Sequence, residues 1–427
     1  MVALAVAGLV AAGCSNATSS PPTSSSSSSS SAPGVTATEI QVGSLATLSG
    51  PVAADFAAIV PGVEAYFDMV NAHGGVDGRK VVLAYKYDDG SQATQNADLA
   101  RTLVDQNHVF GVVGVATAFF AGAQFLAQTG TPTFGYVTEN NWSPSPSMYG
   151  AYGSVLSFSG TTPFFAYVAK QVDATSVGIM AYGVPQSADE CQSAVSAFGE
   201  YGVHVGYSDL SVPYGGDLSA DVSHMKAAGV NFVVSCMDLT GNLSLARTMQ
   251  QNGLTGIHSL WLDGYDRSTL QQNPTLMQNT YFLVQHVPFE AATEFPGVFP
   301  GLQTYLATMR RYEPADTYSE VALEGWLSAD LFVSGLRAVG PNLTQQKLVT
   351  AINHFKDFTA DGITTPVDWS IAHTTVTSPT CQAFVEAENG AFHVVLNHGS
   401  HLFVCFPVGT RADLSKPVPP PPGTPGT

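Results

Sequence analysis

The sequence predicts an α/β protein of two Rossmann-like lobes, each built on a parallel central sheet. Two stretches carry that expectation. Residues 40–89 read strand, loop, helix, turn, strand: Ile40 to Leu45 is a short apolar run, and Ile59, Val63, Phe67 and Val70 recur at helical spacing. The glycines of Asn71-Ala72-His73-Gly74-Gly75 suit a helix C-terminus, and Val81 to Tyr87 alternates as a second strand. Such a βαβ unit implies a parallel sheet with ligand-facing loops beyond the carboxyl ends of its strands. A fresh alternation begins with a helix over Thr161 to Gln171 and a strand over Val177 to Ala181. Length agrees, because 427 residues exceed what one hydrophobic core organises.

Between these stretches, Gln92 to Gln106 has helical spacing and Val109 to Val115 reads as a buried strand. Its exit loop, Gly114 to Phe120, precedes a helix from about Ala121 to Gln128 whose first amides are an expected anion-binding terminus. A further strand ends at Gly135-Tyr136-Val137-Thr138-Glu139. In the second lobe, a helix from about Ser187 to Tyr201 follows Tyr182-Gly183. Strands are expected at Val203 to Tyr207, Phe232 to Cys236, Leu260 to Leu262 and Tyr281 to Val287. Met237-Asp238 and Asp263-Gly264-Tyr265-Asp266 fall at strand carboxyl ends, which face a cleft in this architecture. Asp266, just before Ser268-Thr269-Leu270, also reads as a helix cap. A helix begins near Tyr318, with Trp326, Leu327 and Leu331 as core, and Gln382 to Val395 reads as a hairpin about Asn389-Gly390.

Three features in order, the Leu48-Ser49-Gly50-Pro51 loop, the Asn71 to Gly78 helix stop and the Asp88-Asp89 strand ending, resemble the leucine/isoleucine/valine-binding type of periplasmic binding protein. These are the type I solute receptors of ABC importers, and the resemblance runs in weaker form from Glu39 to Gly409. It implies three hinge crossovers, near residues 157, 288 and 366. Lobe one is then 38–157 plus 289–365, and lobe two 158–288 plus 366–410. It also implies a ligand carboxylate held by the first-lobe exit loop, with the hydroxyl position on Thr117 or Ala118. A ligand ammonium would be held by an acid of the 263–266 loop, with Asp263 as first choice. The ligand set so implied is Ser49, Thr117, Ala118, Phe119, Tyr136, Thr138, Tyr182, Asp238, Asp263, Tyr265 and Tyr318, with no cofactor and no metal. The implied function is capture of an amino acid or related amide or carboxylate for an ABC permease by a monomer. A ligand sensor of the same fold and an extracellular hydrolase are the alternatives.

Composition narrows the partners. Lys plus Arg number 15 against 33 Asp plus Glu, a net charge of −18, which disfavours nucleic acid and anionic lipid surfaces. Residues 1–14, MVALAVAGLVAAGC, form an apolar run too short to span a bilayer and resemble a lipoprotein signal with Cys14 as the acylated residue, although no Lys or Arg precedes Arg79. The expected location is therefore extracytoplasmic, tethered to the cell membrane by lipid. Residues 15–37 hold the serine run Ser24 to Ser31 and read as a flexible tether, and 411–427 as a proline-rich disordered tail. Setting Cys14 aside, Cys191, Cys236, Cys381 and Cys405 allow three connectivities in an oxidising compartment, with free thiols as the alternative. Cys191 with Cys236 and Cys381 with Cys405 are favoured, although a strict three-strand meander would separate the second pair. There is no G-x-S-x-G elbow, H-E-x-x-H helix or Walker phosphate loop. His393, His398 and His401 are the one dense histidine group, read as a solvated turn.

Overall fold

The computed structural model describes residues 32–156, 162–376 and 380–427. The signal-like segment with Cys14, the serine run and the first crossover, at 157–161, lie outside the described residues. The first sheet comprises β1 (Glu39–Ala46), β2 (Lys80–Asp88), β3 (Val112–Val115), β4 (Thr133–Gly135) and β5 (Met148–Gly150), all parallel in the order β2-β1-β3-β4-β5. Its edge strand β2 carries Lys80 and Lys86, charges that discourage pairing with another chain. The second sheet comprises β6 (Val177–Tyr182), β7 (Val205–Val212), β8 (Phe232–Ser235), β9 (His258–Trp261), β10 (Thr280–Val284), β11 (Thr380–Glu388), β12 (Ala391–Val395) and β13 (Val404–Phe406). Strands β6 to β10 are parallel, while β11 to β13 return antiparallel at one side. All six residues of β6 are buried, as a strand covered by helices on both faces requires.

The hairpin follows from its turn chemistry. Asn389 and Gly390 both take positive φ, 52° and 76°, which sets the two-residue primed turn between β11 and β12. The cysteine pairing is resolved by β13, which turns back onto the start of β11 so that Cys381 lies directly opposite Cys405. Cys191 bonds to Cys236 with Cα atoms 5.8 Å apart.

One helix crossing matters for function. The helix Ile59–Ala72 packs along Glu320–Val339, and a Cβ on Gly62 would sit 1.8 Å from the Ala322 carbonyl, one on Gly325 2.0 Å from that of Ile59. Only glycine allows the two backbones to approach so closely. Tyr66 and Trp326 close the seam edge to face at 4.7 Å, and Trp326, Leu327 and Leu331 are core. The crossing fixes where the first turn of the second helix, with Glu320 and Glu324, meets the cleft.

Three expectations are corrected. The third crossover lies later than 366–370, because Trp369 packs on Tyr149 at 5.1 Å, Ala372 accepts from the Ser154 amide and His373 bonds Met148 and Asn353. These side chains are buried in lobe one, so the chain is still in that lobe at His373. The terminal segment is folded onto the protein: the Ala412 amide donates to the Tyr201 hydroxyl, that of Val418 to Cys405, and Leu414 and Thr424 are buried. Interspersed apolar residues give this segment something to bury, and its prolines lower the entropy lost in ordering it. The end of the expected tether also joins the fold, with Gly34 accepting from the Gln41 amide.

Candidate functional site

Two cavities open between the lobes. The outer one, about 310 Å³, is lined from lobe one by Asp55, Phe56, Tyr136, Thr138, Glu320 and Glu324, and from lobe two by Leu262, Asp263 and Tyr265. The inner one, about 200 Å³, lies at the crossovers and shares Tyr136, Leu262, Glu320 and Glu324 with it. Among the described residues, no Lys, Arg or His lines either.

The carboxylates are therefore unusual. Asp55, from the 3₁₀ turn after β1, and Asp263, at the exit of β9, share a hydrogen bond across the cleft. Burial pushes Asp55 up to about 6. Asp263 is pushed well above the carboxylate range by burial first and then by the charge of Asp55. The pair thus holds a proton that Asp263 retains, the usual outcome when two carboxyls meet with no cation between them. Glu324 is raised by burial and by Glu320. Glu320 itself lies 3.2 Å from His286 Nε2.

Other sequence-predicted residues are used elsewhere. Ser49 and Leu48 donate their amides to Asp88. The Thr117 hydroxyl donates to Asp89, which also accepts from Thr47 and Asn96, so Thr117 is sealed inside lobe one. The expected anion terminus is a seven-residue helix starting later, at Ala123, and its approach is already satisfied. The Ala118 amide donates to Thr47, that of Phe119 to Thr117 and that of Phe120 to the Glu139 carboxylate. Phe119 is 42% exposed and lines neither cavity. Asp238 caps the helix Leu239–Gln251 through the Gly241 amide and accepts from Tyr182, which stacks on Tyr214 at 4.0 Å. Asp266 caps Arg267–Gln272 through Thr269. Tyr318 stacks under Arg267, whose guanidinium is 3.4 Å from the ring centre. Tyr265 lines the cavity with its hydroxyl given to Glu290. His393 lies 4.0 Å from Glu294, while His398 and His401 pair through their backbones.

Tyr136, Thr138, Asp263 and Tyr265 are thus the predicted residues that meet in the outer cavity. Asp55, Glu190, Glu320 and Glu324 were missed. A signal existed for Glu320 and Glu324: acids four apart lie on one helical face, here separated only by the apolar Val321, Ala322 and Leu323. The lobes touch through Gln186, which donates to Glu139 at 2.7 Å, and through a bridge between Asp266 and Ser319.

Residues 39–391 match the periplasmic binding protein family, and the chain belongs to it. It is an extracytoplasmic solute-binding family, of which the type I fold is seen here as two α/β lobes. A Leu/Ile/Val-binding protein homolog from Brucella melitensis is 30% identical over 206 residues, 46% of this chain and 53% of that protein. The chain thus aligns with about half the length of that curated relative. A fatty acid ABC transporter substrate-binding protein from Thermomonospora curvata shares the fold with a TM-score of 0.72 at 18% identity, covering 92% of this chain and 98% of that one. A branched-chain amino acid transporter substrate binding protein from Streptococcus pneumoniae, in complex with isoleucine, gives a TM-score of 0.68 at 21% identity, over 84% and 99%.

Proposed function

We propose that this protein captures a small molecule bearing an ammonium group in the interlobe cleft and delivers it to an ABC permease, held at the membrane through lipid on Cys14. One observation carries the ligand class: Asp55 and Asp263 face each other across a cavity lined by no cationic side chain. Two buried carboxyls that have each other and no cation as partners are costly to ionise, and a ligand cation beside the pair removes that cost while pulling the lobes together. Asp263 is the principal anchor, with Asp55 and Glu320 beside it and Tyr136 as an aromatic wall. Thr117, Ala118 and Phe119 have internal partners, which weighs against a ligand carboxylate at that loop. Family membership supports transport, and the even cysteine set supports an oxidising, extracytoplasmic compartment.

The test is a thermal-shift screen of the mature protein against primary amines, amino acids, amides and fatty acids, followed by calorimetric titration. At a hundred times its dissociation constant a ligand adds about 2.7 kcal/mol of stability. Shifts from amines that disappear in Asp263→Asn support the reading. Shifts from amino acids or fatty acids that survive that substitution overturn it.

A further inference from the structure

The inner cavity has its own chemistry. Glu324, 3% exposed, and Glu190, from the helix Pro185–Tyr201, both line it, and neither belongs to an ion pair among the described residues. Gln382, 7% exposed on β11, also lines it, and its Oε1 accepts no hydrogen bond. Three side chains that can accept therefore surround a space with no cationic side chain among its described lining residues. Glu324 has the neutral Tyr152 hydroxyl beside it. A buried polar atom left without a partner is expensive, and retaining the Gln382 Oε1 beside two acids that lack a cation favours a charged donor from outside the chain. The rest of the lining mixes apolar side chains, Val155, Leu156, Phe164, Phe165, Leu262 and Leu283, with neutral polar ones such as Tyr152, Gln285 and Thr365.

The two cavities abut. Tyr136, Leu262, Glu320 and Glu324 belong to the walls of both. At about 200 and 310 Å³ each is near or below the lower bound for small-molecule sites, about 300 Å³, whereas joined they fall inside that range.

We propose that the inner cavity is a second subsite of the same cleft, and that the ligand is an elongated dication, an aliphatic diamine or polyamine. One ammonium sits between Asp55 and Asp263 and the other among Glu324, Glu190 and Gln382. The methylenes between them run along the Tyr136 ring and Leu262, which line both cavities. Two charges separated by an apolar spacer match acids at both ends and hydrophobic walls between. A fatty acid or an α-amino acid would bring its carboxylate against these acids, with only neutral donors such as the Tyr152 hydroxyl, and no cationic side chain among the described residues, to receive it. Burial pushes Glu190 up to about 8 and Glu324 upward as well, so both are readily charged only when a cation enters beside them. The inference rests on the ammonium reading above and adds the second charge and the chain length to it.

Calorimetric titration of the mature protein with n-alkylamines, with α,ω-diamines from 1,3-diaminopropane to 1,8-diaminooctane and with spermidine tests it. A diamine of optimal length should bind about tenfold or more tighter than the monoamine of equal chain length. The diamine-to-monoamine ratio should collapse toward one in Glu324→Gln, and independently in Glu190→Gln should the first variant fold poorly. Diamines no tighter than monoamines, or a preference that survives both substitutions, overturn the second subsite and leave the ammonium reading standing. Absence of binding by every amine, with octanoate or leucine binding instead, overturns both.

Discussion

Two regions of the cleft treat charge in opposite ways. On the lobe-one loop 117–120 every amide that could hold an anion is taken by an internal acceptor: Thr47 for Ala118, Thr117 for Phe119 and the Glu139 carboxylate for Phe120. Around the cavities Asp55 and Glu324 from lobe one and Asp263 and Glu190 from lobe two stand without a cationic side chain among the described residues. One wall is complete by itself and the other is not. In a binding protein the incomplete wall selects the ligand, since ligand energy is gained only where the apo protein leaves groups unsatisfied.

The strongest way to break that contrast is at Asp263. Asp263→Asn should cost about 2 to 5 kcal/mol of amine binding, measured by calorimetry, because it leaves the ligand ammonium poorly matched. An unchanged affinity would remove the acidic wall from recognition. The converse test is Thr117→Val, which strips Asp89 of a buried donor. It should lower stability by about 1 to 3 kcal/mol in denaturant titration while leaving amine affinity within error. A loss of affinity without a loss of stability would return the loop to the ligand.

The acidic wall also predicts a pH dependence. Asp55 titrates near 6 in the fold, above its ordinary 3.8, so the fold prefers the protonated acid. Its contribution to unliganded stability is full below about 3.8 and lost as pH rises through about 6. Ligand binding runs the other way, since a cation needs the carboxylate. Between pH 6 and pH 5 amine affinity should fall by up to about tenfold, and the slope should flatten in Asp55→Asn. His373, its pKa lowered to about 4 by burial, has the opposite sign: the fold prefers neutral imidazole, and this contribution is lost as pH falls from about 6.5 through 4. Affinity in parent and variant, rather than melting temperature alone, therefore isolates the cleft. A pH-independent affinity would mean that neither Asp55 nor Asp263 meets the ligand.

The smallest effect belongs to the neighbouring acid. Asp266→Ala should lower stability by about 1 kcal/mol by removing a helix cap, with amine affinity retained. Thermal denaturation with a parallel titration checks it, and a matching loss of affinity would show that Asp263 is not the discriminating residue of the loop.

Much of this was open to sequence reasoning, for reasons that can be named. Helical spacing in Ile59 to Val70, the primed turn at Asn389-Gly390 and the cap at Asp266 depend on residues within a few positions of one another, and local sterics and hydrogen bonds decide them. The disulfide pairing was within reach once strands were assigned, although β13 had to turn back to bring Cys405 opposite Cys381. The folded terminal segment was missed because proline content speaks of chain stiffness and not of what Ala412, Leu414 and Val418 find to cover.

The sequence by itself determined the α/β class and the two lobes, and it placed Asp263 at the exit of a strand. Only the tertiary structure decided which groups around the cleft are satisfied. Nothing local tells that Glu139 reaches the Phe120 amide, or that Asp55 meets Asp263 from the other lobe. The close crossing at Gly62 and Gly325, likewise, is what sets Glu324 at the cleft. Whether a donor or acceptor is free depends on what lies within about 3 Å of it in space, and those neighbours come from the far ends of the chain.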